Sequence, residues 1–252
     1  MKKNRIIIFT FLVLILSKYS YAKNFRIVTE NFPPYNYTKD GVVEGFSTSI
    51  VKAVLKEIKL NPDNGFEVYP WVRAFGMAKN TQRVLIFSMG RNEKREKMFK
   101  WIGPIAPSKY YLFSLTGRDD IKIKSLNDAK KFKIGTVRED VREQYLISKG
   151  FKKGKNIFPN SDYFPNFLKL KAKRIDLWAM NEMTAFYLLK NKGFNPNKEI
   201  KRVYFFKEMS KKGLYMAFNI KTPDSLYNKF KNGFQNVVKS GEYDRLKSDF
   251  FK

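Results

Sequence analysis

From residue 25 onward, short apolar runs alternate with stretches whose apolar positions recur at helical spacing. Residues 25–29 predict a strand that ends in the turn-forming Asn31, Pro33 and Pro34, and residues 35–37 and 41–45 predict a hairpin-like excursion. Ile50, Val51, Val54, Leu55 and Ile58 predict a helix over 47–58, with Ser47 placed to cap its first turn. A strand over 66–69, a helix over 72–79 and a strand over 84–87 come next. Strand, helix, strand, helix, strand implies a parallel sheet with right-handed crossovers. Ser88, Met89 and Gly90 then read as a turn, residues 91–100 as a dense charged segment, and Gly103-Pro104 as a second turn.

Beyond a strand over 110–115 the pattern begins again. A short helix over 125–131, a strand over 132–135 and helices over 140–149 and 162–172 are predicted, then a strand over 175–180 and a helix over 183–191. Residues 203–206 and 213–219 read as strands, the second as a return crossing. Pro223 opens a long helix with Leu226, Phe230, Phe234, Val237 and Val238 on its buried stripe, and a last amphipathic turn carries Tyr243, Leu246 and Phe250. No linker rich in Pro, Gly or Ser divides the chain, so two α/β lobes would be joined by strands, near 111–115 and 215–219.

The first residues fit neither lobe. A basic start with Lys2, Lys3 and Arg5 precedes an apolar run over 6–16, which suits a signal peptide and is short for a membrane span. Cleavage is expected after Ala22. The chain has 252 residues and is 43% hydrophobic, enough for a sizeable core. Cysteine is absent, which excludes disulfides, thiolate metal sites and lipid attachment to a cysteine. The net charge is +27; removal of the four cations of residues 1–22 would leave +23. The lysines are scattered, without the clustered stripe of a nucleic-acid binder, and read mostly as solvated surface.

Ligands of open α/β sheets lie beyond the carboxyl ends of strands. An arginine presented there can hold a carboxylate through two parallel hydrogen bonds. Arg95, just past Gly90, is the candidate, although the same segment also reads as a solvated charged turn. Phe32 and Tyr35, on a strand-end loop, are candidate pocket walls; Trp71 reads equally as wall or core. Trp178 reads as core, and Trp101 as packing under the Arg95 turn. Histidine is absent, so catalytic triads and imidazole metal sites are excluded, and no carboxylate pair has a spacing that fixes acid–base geometry. Neither cofactor nor metal is expected.

The order of landmarks resembles the bacterial extracellular solute-binding proteins of family 3, the polar amino-acid-binding proteins of ABC importers. These landmarks are Phe32-Pro33-Pro34-Tyr35; Val43-Glu44-Gly45-Phe46; Arg95 with Trp101 and Gly103-Pro104; Lys133-Ile134-Gly135-Thr136; Arg174-Ile175-Asp176-Leu177; and Gly241-Glu242-Tyr243. The resemblance implies a two-lobed, type II venus-flytrap fold with two strand crossings: signal peptide 1–22, lobe one 23–114 and 215–252, lobe two 115–214. It implies that Arg95 holds a ligand α-carboxylate, that Phe32 and Tyr35 wall the pocket, and that Arg138, Glu139 and Asp140 close from lobe two; Ser88, Gly90 and Trp71 are further candidate ligand-binding residues. Two positions depart from the family pattern. Gly90 stands where a carboxylate-holding threonine is common, and Asn181 where an ammonium-holding aspartate is usual; the adjacent Glu182 could substitute for the latter.

The sequence therefore points to an exported, monomeric, periplasmic binding protein for a small amino acid or simpler carboxylate, serving an ABC permease and no nucleic acid. Two alternatives stay open. One is a sensor module that docks on a membrane receptor. The other is a dehydratase-like enzyme on the same fold, with Glu30 or Glu182 as its working carboxyl.

Overall fold

The computed structural model describes residues 25–251. The expected signal peptide and its cleavage point lie outside them. In chain order the first half runs β1 (Arg26–Thr29), a hairpin of β2 (Tyr37–Lys39) and β3 (Val42–Glu44), α1 (Phe46–Ile58), β4 (Phe66–Val68), α2 (Trp71–Asn80), β5 (Val84–Gly90), α3 (Glu93–Glu96) and β6 (Phe99–Ala106). The middle runs β7 (Tyr110–Leu115), a 3₁₀ turn at Leu126–Lys131, β8 (Ile134–Val137), α4 (Val141–Ser148), β9 (Ile157–Asn160), α5 (Phe164–Lys171), β10 (Leu177–Asn181), α6 (Glu182–Asn191), α7 (Pro196–Glu199) and β11 (Ile200–Phe205). The chain closes with α8 (Lys207–Ser210), β12 (Leu214–Asn219), α9 (Asp224–Lys239) and α10 (Glu242–Phe251).

Two five-stranded sheets define two lobes, ordered β4-β1-β5-β12-β6 and β11-β7-β10-β8-β9. The expected parallel start holds, since β1 pairs in parallel with both β4 and β5. The chain passes between the sheets over 107–109 and 206–213, immediately ahead of β7 and β12. Buried residues of the first sheet run continuously into Val137, Tyr163, Trp178 and Met180 of the second, so the lobes are closed on one another. Among the described residues no helix is long and apolar enough to cross a membrane.

Several expectations are corrected. Residues 88–90 are not a turn: antiparallel pairing of Leu214 with Gly90 and Tyr215 with Met89 carries β5 through them. Residues 99–106 form β6, because β12 pairs along them as well. Strand β9 goes beyond the expected elements; its segment holds Pro159, which is tolerated there because β9 is an edge strand. Ser47 does not cap α1; Gly45 does, and Ser47 instead donates its backbone N–H to the Tyr35 carbonyl at 2.8 Å. Gly45 sits at φ 110°, and a Cβ there would come 2.6 Å from the carbonyl oxygens of Pro34 and Tyr35, so only glycine lets α1 dock this closely on the 32–35 loop.

Candidate functional site

The loop after β1 is held by Asn36, whose Nδ2 donates to the Glu30 carbonyl at 2.6 Å and to Thr29 Oγ1 at 2.9 Å. This fixes Phe32 and Tyr35, stacked with ring centroids 5.4 Å apart and both buried. Phe32 also meets the ring of Tyr163 from the second lobe at 5.5 Å. Tyr35 reaches the second lobe through its hydroxyl, which accepts from Asn181 Nδ2 at 3.4 Å, so both rings lie between the lobes.

Arg95 is not a solvated turn residue; it is 0% exposed. Asn92 caps its short helix by accepting the Arg95 backbone N–H at 3.0 Å. The guanidinium lies over the rings of Trp71 and Phe75, at 5.0 and 4.9 Å, one helical turn apart on α2. Nη1 donates to the Gly90 carbonyl at 2.8 Å, Nη2 to the Glu139 carbonyl at 2.8 Å, and Nε to Gln144 Oε1 at 3.0 Å. Two of these acceptors belong to the second lobe. Burial pulls the Arg95 guanidinium down to about 10, against the pull of Asp140, so it remains charged at neutral pH.

Trp101 packs away from Arg95: its ring meets Phe99 and Tyr215, with the Arg91 guanidinium 5.4 Å from its centroid. Trp178 is core, 0% exposed. Ser88, at φ 58° on β5, and Trp71 are both buried; among the described residues Ser88 Oγ and Trp71 Nε1 find no hydrogen-bond partner.

On the second lobe the structure brings Asp140 into the centre but not Arg138, which is exposed. The buried cation of this lobe is Arg142, two residues further along. Asp140 caps α4 and grips Arg142 bidentately, accepting from Nε at 2.5 Å and Nη2 at 2.7 Å. The Arg142 guanidinium is ringed by Phe32, Tyr110 and Tyr163, with centroids 5.0 to 5.6 Å away. Its Nη1 reaches only the thioether of Met180, a weak acceptor. Burial acts against the charge of both partners, yet each holds the other ionised: Arg142 is pushed up and Asp140 down. The helical spacing of α4 could have pointed to Arg142, since it shares a face with Tyr145 and Leu146 at i+3 and i+4.

Glu30 closes the centre from the first lobe. Its carboxyl oxygens accept from Tyr163 Oη at 2.8 and 2.9 Å. Burial, then the nearby Asp140, push Glu30 up to about 8 despite this hydrogen bond and Arg142. The buried centre thus brings together the guanidiniums of Arg95 and Arg142, the Asp140 carboxylate and the Glu30 carboxyl, which is mostly protonated at neutral pH. Cavities lie beside it at the lobe interface: one of about 300 Å³ touches Glu30, Trp71, Asp162 and Tyr163, and one of about 270 Å³ touches Arg95, Glu139 and Gln144.

Asn181 is fully buried, but its side chain serves the fold. Its Oδ1 caps α6 by accepting the Thr184 N–H at 3.0 Å, and its Nδ2 donates to Ser108 Oγ at 2.8 Å and Tyr35 Oη at 3.4 Å. Glu182 is bound to Arg202 on β11. Neither is shaped as an ammonium partner. Gly90 has its own reason: a Cβ there would stand 2.8 Å from Val141 Cγ1 of the opposite lobe.

The fold is that of solved two-lobed binding proteins. An ancestral arginine-binding protein bound to arginine superposes with TM-score 0.75 at 22% identity, covering 91% of this chain and 98% of that one. A histidine kinase sensor domain with similarity to periplasmic binding proteins gives TM-score 0.75 at 18% identity, over 90% and 95%. The ancestral amino acid-binding protein AncCDT-1, a precursor of cyclohexadienyl dehydratase, gives 0.71 at 21% identity, over 96% and 99%. Among curated proteins none matches this sequence. The model of the bacterial extracellular solute-binding proteins, family 3, matches residues 25–252, essentially the whole two-lobed region, and the chain belongs to that family.

Proposed function

We propose that the chain is an exported, monomeric binding protein that captures a small amino acid or simpler carboxylate between its lobes and delivers it to an ABC permease. The observation that carries this reading is the charge of the buried centre. Arg95 from one lobe and Arg142 from the other face it, 0% and 2% exposed, and Asp140 is the carboxylate that grips Arg142. Arg142 has a carboxylate partner, whereas the hydrogen bonds of Arg95 go to the neutral acceptors of Gly90, Glu139 and Gln144, which favours an added anion there. A ligand carboxylate would enter with the lobes apart, replacing the neutral Glu139 and Gln144 acceptors on Arg95. Trp71 Nε1 and Ser88 Oγ offer further donors beside it. An ammonium would lie toward Glu30 and Asp162 rather than Asn181, whose oxygen is committed to a helix cap.

The test is calorimetric titration of amino acids and small carboxylates into the purified protein and into Arg95→Lys. Binding of a carboxylate that weakens at least tenfold in the variant supports the anchor, since lysine lacks the planar fork. Unchanged affinity places the anchor elsewhere. A second reading, a proton-transferring enzyme on this fold, is favoured by one group, Glu30, whose carboxyl is held near neutrality. Turnover of a bound carboxylate that disappears in Glu30→Gln with binding intact would favour that reading over transport.

A further inference from the structure

The carboxyl ends of β8 and β10 face the other lobe, and their amino ends form the opposite pole of the second lobe. The turns entering three neighbouring strands there are basic. Lys130, Lys131 and Lys133 precede β8; Lys152, Lys153 and Lys155 precede β9; Lys173 and Arg174 precede β10. All are exposed. Hydrogen bonds fasten these turns side by side. The Asn156 side chain donates to the Lys130 carbonyl at 3.0 Å and accepts from the Lys152 N–H at 2.6 Å. The Asn156 carbonyl accepts from Ile134 N–H at 2.8 Å, and the Lys133 carbonyl accepts from Asp176 N–H at 2.8 Å.

The nearby carboxylates leave most of this charge uncompensated. Asp176 is bound to Arg118 and to the Lys133 N–H, Asp128 accepts backbone N–H groups of Lys124 and Ser125, and Glu143 pairs with Lys153 at 3.2 Å. The aromatic rings of the region, Phe132 and Phe151, lie under Lys131 and Lys130, so none is presented for stacking on bases.

We propose that this pole of the second lobe docks on an anionic lipid bilayer. Lysines gathered on one rigid end suit a surface of lipid phosphates. The extracellular family to which the chain belongs places such a surface within its reach. Strand β8 spans about 13 Å between pole and interlobe face, so docking leaves the cleft free. The inference stands apart from the ligand reading, since none of these residues touches the buried centre.

Flotation of the full chain with phosphatidylcholine vesicles, with and without phosphatidylglycerol, tests it. Binding is expected with phosphatidylglycerol alone and is expected to fall about fivefold per lysine removed, hence about a hundredfold in Lys130→Gln/Lys152→Gln/Lys155→Gln. The equal charge change on the first lobe, Lys56→Gln/Lys229→Gln/Lys231→Gln, is expected to leave binding nearly intact. The N-terminal apolar segment is common to all forms and cancels. Equal losses in both lysine triples, equal binding to uncharged vesicles, or tighter binding of a DNA duplex than of vesicles would each overturn the proposal.

Discussion

Nη2 of Arg95 donates to the backbone carbonyl of Glu139 across the lobe interface at 2.8 Å. With the Nε bond to Gln144, one side chain of the first lobe holds two acceptors of the second. Arg95→Ala removes this clasp: the Gly90 carbonyl loses its guanidinium donor, at a cost of about 1–3 kcal/mol, while the Glu139 carbonyl keeps Gln144 Nε2 at 3.2 Å and Gln144 Oε1 keeps Asn92 Nδ2 at 2.9 Å. The variant is expected to unfold at lower urea in the absence of ligand and to scatter X-rays as a more extended particle. An unchanged radius of gyration with unchanged stability would show that the clasp does not hold the lobes.

Glu30 gives the molecule a pH dependence of definite sign. Its carboxyl is pushed up to about 8 by burial and by Asp140, above its usual value, so the folded protein retains a proton that the unfolded chain loses. Stability from this group is full below the unfolded value of about 4.3 and is lost as pH rises through about 8. Glu30→Gln keeps an uncharged partner for Tyr163 and is expected to flatten the decline in urea stability between pH 5 and pH 9, gaining most over wild type at the alkaline end. The groups facing Glu30 are Asp140, Arg142, Asp162 and Tyr163; Asp140 is pushed down, and Arg142 and Tyr163 are pushed up, away from that window. Parallel curves for the two proteins would exclude Glu30 as the source.

Gly90 and Val141 touch across the lobes. A Cβ at Gly90 would lie 2.8 Å from one Val141 methyl and 3.1 Å from the other. Gly90→Ala is therefore expected to disfavour closure, weakening ligand affinity while leaving each lobe folded. Val141→Ala in the same chain removes both methyls and is expected to restore affinity. Failure of the double variant to recover would mean that the alanine acts within β5 instead.

The fold is legible in the sequence wherever local pattern and tertiary pairing agree. Strand β1, the stripe of α1 and the parallel pairing of the first strands come from periodicity and from the alternation of strands with helices. Residues 88–90 and 99–106 do not, because their extended conformation is imposed by β12, more than a hundred residues away in sequence. Arg95 is legible from its place after a strand end, as are Phe32 and Tyr35 from their prolines. Arg142 escapes a sequence reading that favours Arg138: a cation in the first turn of a helix usually points to water, and what turns this one inward is Asp140 together with aromatic rings from both lobes. At Asn181 the family pattern directs attention to charge, whereas the structure uses the residue for its geometry as a cap.

The Asp140–Arg142 pair decides whether the centre is held by charge or by shape. Asp140→Asn leaves the guanidinium buried with a neutral partner, and breaking a buried pair from one side costs about 3–5 kcal/mol. Because Asp140 also caps α4, Arg142→Met is the informative companion: it keeps the cap and removes the cation from the aromatic ring of Phe32, Tyr110 and Tyr163. Arg142→Met leaves Asp140 buried and unpaired and is expected to lower urea stability by a similar amount. The double variant, Asp140→Asn/Arg142→Met, leaves no buried charge from this pair and is expected to be more stable than either single one. A double variant whose loss equals the sum of the two would mean that the pair contributes no coupling. If instead the double variant is as stable as wild type yet no longer binds a carboxylate, the pair is kept for the ligand rather than for the fold.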